Sequence, residues 1–286
     1  MAELISIIVA TYNRPDALDA VLRGLSRQGD RGFEIVVADD GSGPATRQVA
    51  ESWETRAGVP VRHVWHEDRG FRLAEIRNRA IAASRGEVCV FLDGDSIPRP
   101  GFVAAHRRLA EPGWFVAGNR VLLSQGLTER VLREGATPEL WRLGDWIAAR
   151  RAGDVNRLGP VLTLPLGPLR RLRARAWEGA RGGNLAIRRA DLLRVDGFDA
   201  EFSGWGLEDS DVIVRLLRSG TRRKDGRFAT GVVHLWHPEH DRARFAGNRA
   251  RLDEVIRAGR VRALRGISAL EETGAPAQDA APRRAG

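Results

Sequence analysis

Residues 87–95 read EVCVFLDGD, five consecutive apolar residues that end on Asp93-Gly94-Asp95. A short uninterrupted apolar run bounded by turn residues fits a strand buried on both faces, as in a parallel sheet. Ligands of such sheets sit at the carboxyl ends of the strands, where this turn places two carboxylates. Upstream segments repeat the pattern. Leu4–Ala10 (LISIIVA) leads into Thr11-Tyr12-Asn13-Arg14-Pro15, and Phe33–Ala38 (FEIVVA) leads into Asp39-Asp40-Gly41-Ser42-Gly43. A third strand is expected around Val59–Trp65. Helical spacing fills the gaps: Leu18, Val21, Leu22 and Leu25 mark a first helix, and others are expected over 45–56 and 72–84. The alternation predicts an α/β fold with a Rossmann-like, mostly parallel central sheet flanked by helices. TYNRP, DDGSG and DGD should then converge on one crevice.

Beyond Asp95 the pattern loosens. A helix is expected near 99–110, apolar segments at 114–123, and a strand over GGNLAI (182–187). A helix should run from Glu208 to Gly220, a strand from Phe228 to Leu235, and a last helix over roughly 243–265. The tail from Gly274 is of low complexity. The reading is one domain over 1–272: a nucleotide-binding half (1–98), a metal and acceptor half (99–240) forming a smaller lobe with a basic insertion at about 124–181, and a C-terminal helix (241–272). Residues 273–286 are expected to be disordered.

Composition narrows the class. The chain has 286 residues, 43% hydrophobic and 29% charged, an ordinary globular balance. No apolar run approaches the roughly 18–20 residues that span a bilayer. MAELISIIVATYN carries an acid and no basic n-region, against a secretory signal, and lone Cys89 cannot form an internal disulfide. A cytoplasmic protein is the expectation. The net charge of +9 is local: residues 142–189 hold eleven arginines against Asp145, Asp154 and Glu178. A nucleic-acid binder would use such a stretch but would leave the acidic clusters unexplained, so no nucleic acid is expected.

Three constellations carry chemistry. Asp93 and Asp95 repel each other unless a divalent cation with oxygen ligands sits between them, although helix capping alone also accounts for such a turn. Gly204-Trp205-Gly206-Leu207-Glu208-Asp209-Ser210-Asp211 puts three acids at a helix N-terminus, where the dipole favours them. Trp205 beside them offers a platform for a sugar ring, and a carboxylate there could take a proton from a hydroxyl. His234 and His237, in HLWH at a strand end, suit an Mn2+-like ion.

Taken in order, TYNRP, DDGSG, RGFRLAEIRNRAI, VFLDGD, GGNLAI and GWGLEDSDVIVRL resemble the GT-A nucleotide-sugar glycosyltransferases of family 2. The second half looks like the galactosyltransferase-type C-terminal region and the donor domains of chondroitin-type polymerases. The resemblance spans about residues 4–240. It implies a GT-A fold and transfer of a hexose or N-acetylhexosamine from a UDP-sugar (UDP-Gal, UDP-GalNAc or UDP-Glc type) to a glycan hydroxyl in bacterial polysaccharide or lipopolysaccharide assembly. Thr11, Tyr12, Asn13 and Arg14 would line the uridine pocket, and Asp40, with Asp39 beside it, would read uracil or ribose. Arg72 and Arg77 would meet nucleotide and diphosphate. Asp93 would bind ribose or metal-bound water, with Gly94 keeping bulk away from the ligand. Asp95 would ligate a divalent cation, Mn2+ ahead of Mg2+, with His234 or His237. Gly183 and Asn184 would approach donor or acceptor. Glu208 would hold the acceptor hydroxyl and Asp209 would be the general base; an acid there, where retaining relatives often carry Asn, implies inversion. Ser210 and Leu207 depart from the family's usual acid and glycine.

Two rival readings use the same residues. A nucleotidyltransferase would carry a glycine-rich loop after the first strand, which TYNRP lacks. A non-catalytic sugar-nucleotide-binding homologue would tolerate loss of the base, which is present. The basic insertion, with Trp141, Trp146 and Trp177 among leucines, reads either as a peripheral contact with anionic membrane near a lipid-linked glycan acceptor, or as a lid with its leucines in the core. Pro160, Pro165 and Pro168 break any long helix, so a short helix, a loop and a second helix at about 168–177 are expected.

Overall fold

The structure, a computed structural model, describes residues 3–239 and 241–272. Its first half is β1 (Ile5–Thr11), α1 (Pro15–Ser26), β2 (Phe33–Asp39), α2 (Pro44–Arg56), β3 (Val61–Trp65), α3 (Leu73–Ala83) and β4 (Val88–Asp93). Next come β5 (Ser96–Pro98), α4 (Phe102–Leu109), β6 (Trp114–Ala117), β7 (Arg120–Leu122), α5 (Gln125–Arg133) and α6 (Leu143–Arg151). The chain continues through β8 (Asn184–Arg188), α7 (Arg189–Arg194), α8 (Glu208–Arg218), β9 (Arg222–Asp225) and β10 (Val232–His234). Helices α9 (Phe245–Ala258) and α10 (Ser268–Glu272) follow.

Seven strands form the central sheet in the order β3-β2-β1-β4-β8-β6-β9. The first four are parallel, β8 runs antiparallel to both β4 and β6, and β9 is parallel to β6. Period-two alternation along these mostly apolar strands feeds both faces. Ile7, Val9, Ile35, Val37, Val90 and Leu92 join one core with α1 and Trp53, while Ile8, Val36, Cys89 and Phe91 join another with α3 and α8. Burial pushes the Cys89 thiol up to about 12, so it is an inert core residue. A small second sheet, β5-β10-β7, forms the lobe that carries His234.

Four expectations change. The Phe228–Leu235 strand contracts to β10, because Phe228 is left-handed (φ 58°) and Thr230 folds back onto the Gly226 carbonyl. The last helix stops at Ala258, capped by Gly259 at φ 67°. Residues 168–177 form no second α-helix: a 3-10 turn, Gly167–Arg171, gives way to irregular turns. The tryptophans of the insertion face inward, with Trp146 buried edge-on to Trp141 at 5.2 Å and Trp177 packed on the core. The expected tail, 273–286, lies outside the described residues. No helix among the described residues is long and apolar enough to cross a membrane.

Candidate functional site

The carboxyl ends of β1, β2 and β4 open on one crevice, with β10 facing them. Gly94 N–H donates to the Ala10 carbonyl at 2.7 Å, and a Cβ on Gly94 would lie 2.6 Å from that oxygen. Glycine is therefore required for the DGD turn to sit against β1. Leu235 N–H donates to the Asp95 carbonyl at 2.9 Å, tying the turn to the end of β10.

That tie brings a carboxylate to two imidazoles. Asp95 Oδ1 is 3.0 Å from His234 Nδ1, and Asp95 Oδ2 is 3.5 Å from His237 Nε2. One ligand atom from each of the three residues lies within 4.8 Å of the others. Burial alone would raise the Asp95 carboxyl, but His234 and then His237 hold it below the usual range. Its Oδ1 is buried and, despite the nearby imidazole, makes no hydrogen bond of acceptable geometry. His237 Nδ1 donates to the Pro238 carbonyl at 2.7 Å, since that oxygen can only accept, and Nε2 is the ring nitrogen that faces Asp95. A mixed set of one carboxylate and two imidazoles suits Mn2+ and serves Mg2+ poorly. Both histidines are thus placed to ligate.

Across the crevice, Glu208 and Asp209 open α8 after Leu207, which is left-handed at φ 76°. Arg77, buried under the rings of Phe91 and Phe198, spans the two acid clusters. Its Nη1 is 3.1 Å from Glu208 Oε1, and its Nη2 is 3.5 Å from Asp93 Oδ1. The expected diphosphate contact is therefore a buried bridge between carboxylates. Burial, and then the Asp209 charge, push Glu208 up to about 7 against the pull of Arg77. Asp209 Oδ2 accepts from Gly182 N–H at 3.0 Å and Oδ1 from the Ser210 hydroxyl at 3.3 Å, so the serine that departs from the family pattern helps orient Asp209. A Cβ on Gly183 would lie 2.0 Å from Asp93 Oδ2, so this glycine lets the turn close over the acid. Trp205 stacks on Phe245 with centroids 5.8 Å apart, and the Arg242 guanidinium lies over the Trp205 ring, 5.3 Å from its centroid.

At the ends of β2 and β3, two histidines hold the paired aspartates. Asp39 is fully buried, taking Ser42 N–H at 2.8 Å and facing His63 Nε2 at 2.9 Å. Asp40 faces His66 Nε2 at 2.7 Å and accepts from the Arg72 N–H at 2.9 Å. The Arg72 side chain pairs with Glu75. Asn13, left-handed at φ 49°, accepts from Gly43 N–H and ties the ends of β1 and β2 together. Thr11 Oγ1 is buried without a hydrogen-bond partner. Tyr12 is 47% exposed and donates to Asp68, whereas Arg14 pairs with Asp16. Asn184 turns away from the crevice: its amide donates to the Asn119 and Thr230 carbonyls and its oxygen faces buried His106.

Sequence reasoning missed His63, His66 and Arg120. The histidines are legible only once β2 and β3 are taken as neighbours, with Asp39 beside Trp65. Arg120 Nη1, 3.2 Å from Asp93 Oδ2, comes from a three-residue strand with no motif around it.

Residues 6–163 match glycosyl transferase family 2, and residues 172–240 match the N-terminal domain of galactosyltransferase. The chain is 34% identical over 244 residues to validoxylamine A glucosyltransferase of Streptomyces hygroscopicus subsp. limoneus, covering 80% of this chain and 51% of that protein. It is 26% identical over 226 residues to chondroitin synthase of Escherichia coli, covering 76% and 32%. The chain thus spans about half the length of the first of these, and less of the second. Among solved structures, a mannosyltransferase from Pyrobaculum calidifontis in complex with GDP-Man and Mn2+ superposes with a TM-score of 0.59 at 21% identity, covering 90% of this chain and 65% of that one.

Proposed function

Because the chain belongs to glycosyl transferase family 2, we propose that it moves a hexose or N-acetylhexosamine from a UDP-sugar to an acceptor hydroxyl, with inversion and with a bound divalent cation. The observation that carries this reading is the joining of two acid clusters in one crevice: Arg77 spans Asp93, beside the Asp95–His234–His237 group, and Glu208, beside Asp209. Donor and acceptor can then meet between them. The division of the chain into a donor half, 1–98, and a metal and acceptor half, 99–240, follows the same line.

In this mechanism Asp40, steadied by His66 and the Arg72 N–H, reads the donor base. Asp95, His234 and His237 would hold the cation, which when bound supplies positive charge to the leaving nucleoside diphosphate. Arg120, partly exposed beside Asp93, adds to that charge. The acceptor hydroxyl is far too weak an acid to ionise unaided, so Asp209 takes its proton as the new bond forms. Gly182 N–H and the Ser210 hydroxyl fix the carboxylate for that transfer. Glu208 holds the acceptor hydroxyl, and Trp205 borders the donor sugar. Similarity to a glucosyltransferase, at 34% identity, makes UDP-Glc the first donor to try. The test is a panel of UDP- and GDP-sugars with and without Mn2+, scoring nucleoside diphosphate release. UDP release that requires Mn2+ is expected; release from GDP-sugars alone, or from none, contradicts the reading.

Two smaller effects follow. His66→Ala should raise the donor KM about tenfold with kcat little changed, the scale of one hydrogen bond to a charged group. An unchanged KM would detach His66 from donor binding. Glu208, raised from 4.5 to about 7 on folding, stabilises the protein fully in acid and loses that contribution as pH rises. The Tm of the wild type should therefore fall relative to Glu208→Gln from pH 4.5 to about 7 and level off above. A constant difference across that window would mean that Glu208 is not buried as an ionisable group.

A further inference from the structure

We infer that residues 162–176 form a contact for the surface of an anionic membrane. The charge there is one-sided: residues 155–177 hold five arginines and no acid. The segment is also fixed in place. Leu164 N–H donates to the Phe228 carbonyl at 2.9 Å, and Arg223 N–H on β9 donates to the Ala174 carbonyl at 2.8 Å. Arg170, buried, donates to the carbonyls of Asp225, Arg227 and Leu164 at 2.8, 2.7 and 3.0 Å. Arg170 is thus a clamp on the edge of the sheet and takes no part in the contact.

What the clamp holds outward is apolar and basic together. Leu164, Leu169 and Leu172 are 44%, 59% and 79% exposed, and Arg171, Arg173 and Arg175 are exposed among them. Arg171 is held by Glu111 and lies over Trp114, whereas Arg173, with one exposed bond to the Glu178 carbonyl at 2.9 Å, and Arg175 are the principal basic contacts. Leucines held in water by a braced backbone gain only from an apolar medium, and arginines beside them gain from negative charge. A lipid surface with anionic headgroups offers both at one depth. A soluble polyanion would satisfy the arginines and leave the leucines in water. From this segment the chain passes Trp177 and reaches Gly182, whose N–H holds Asp209, so docking would bring the crevice near the headgroups.

The test is co-sedimentation with phosphatidylcholine vesicles, with and without about 30% phosphatidylglycerol. Binding is expected only with the anionic vesicles and should weaken with salt. Leu169→Ser with Leu172→Ser, and separately Arg173→Ser with Arg175→Ser, should each lower binding about tenfold or more, each arginine near the surface being worth about fivefold. The leucine variant should melt like the wild type, and the arginine variant close to it, since the arginine pair gives up only the exposed bond from Arg173 to the Glu178 carbonyl. Equal binding to both vesicles, or loss with the arginine pair alone and retention on heparin, would overturn the proposal. So would loss of self-association in the leucine variant with vesicle binding intact, which would make the face a contact between copies.

Discussion

Asp209→Asn is expected to lower kcat by about a hundredfold to ten-thousandfold, the range for a lost general base, while donor binding stays near wild type. The substitution is close to isosteric. The amide oxygen can keep the Gly182 N–H, and the amide nitrogen can donate to Ser210, so the start of α8 should hold its shape. What is lost is the capacity to take a proton. Single-turnover measurement at saturating donor and acceptor checks this. Near-full activity in Asp209→Asn together with a dead Glu208→Gln would reassign the base to Glu208, whose carboxyl is pushed up to about 7 by burial.

Asp95→Ala should reduce transfer to below about one-thousandth and remove the response to Mn2+. The fold should survive, because Asp95 is fastened by its carbonyl to Leu235, and alanine keeps that bond. His234 also keeps its contact with Ser96, 3.0 Å from Nδ1. Activity that still rises with Mn2+ in a folded Asp95→Ala would place the cation elsewhere.

Much of this was legible in the residues, and the reasons differ by region. β1, β2 and β4 are apolar at nearly every position because both faces of the sheet are covered, so they stand out in any reading. β9 did not, since its sequence is RRKD. Its place in the sheet depends on partners far along the chain: Lys224 pairs with Glu111, and Arg223 reaches the carbonyls of Ala176 and Glu178. No local periodicity encodes such contacts. The acidic motifs located the crevice, but motif alone could not say which way a side chain turns. Asn184 sits beside Gly183 in one motif, yet strand alternation sends it into the core against His106. Arg77 has the same history: its motif suggests a phosphate ligand, and burial between Phe91 and Phe198 makes it a brace for two acids. The basic insertion left two readings open, because leucine, arginine and tryptophan in mixture fit an exposed surface and a clamped loop equally well. Only the fold separates buried Arg170 from exposed Leu172.

The central claim is a division of labour within one crevice, the Asp95 group serving the donor diphosphate and Asp209 serving the acceptor. Calorimetric titration of UDP into the wild type, Asp95→Ala and Asp209→Asn, each with Mn2+ and with EDTA, tests it most directly. The account predicts Mn2+-dependent UDP binding that Asp209→Asn retains in full and Asp95→Ala loses. UDP binding that ignores Mn2+, or that fails in Asp209→Asn and persists in Asp95→Ala, would contradict it.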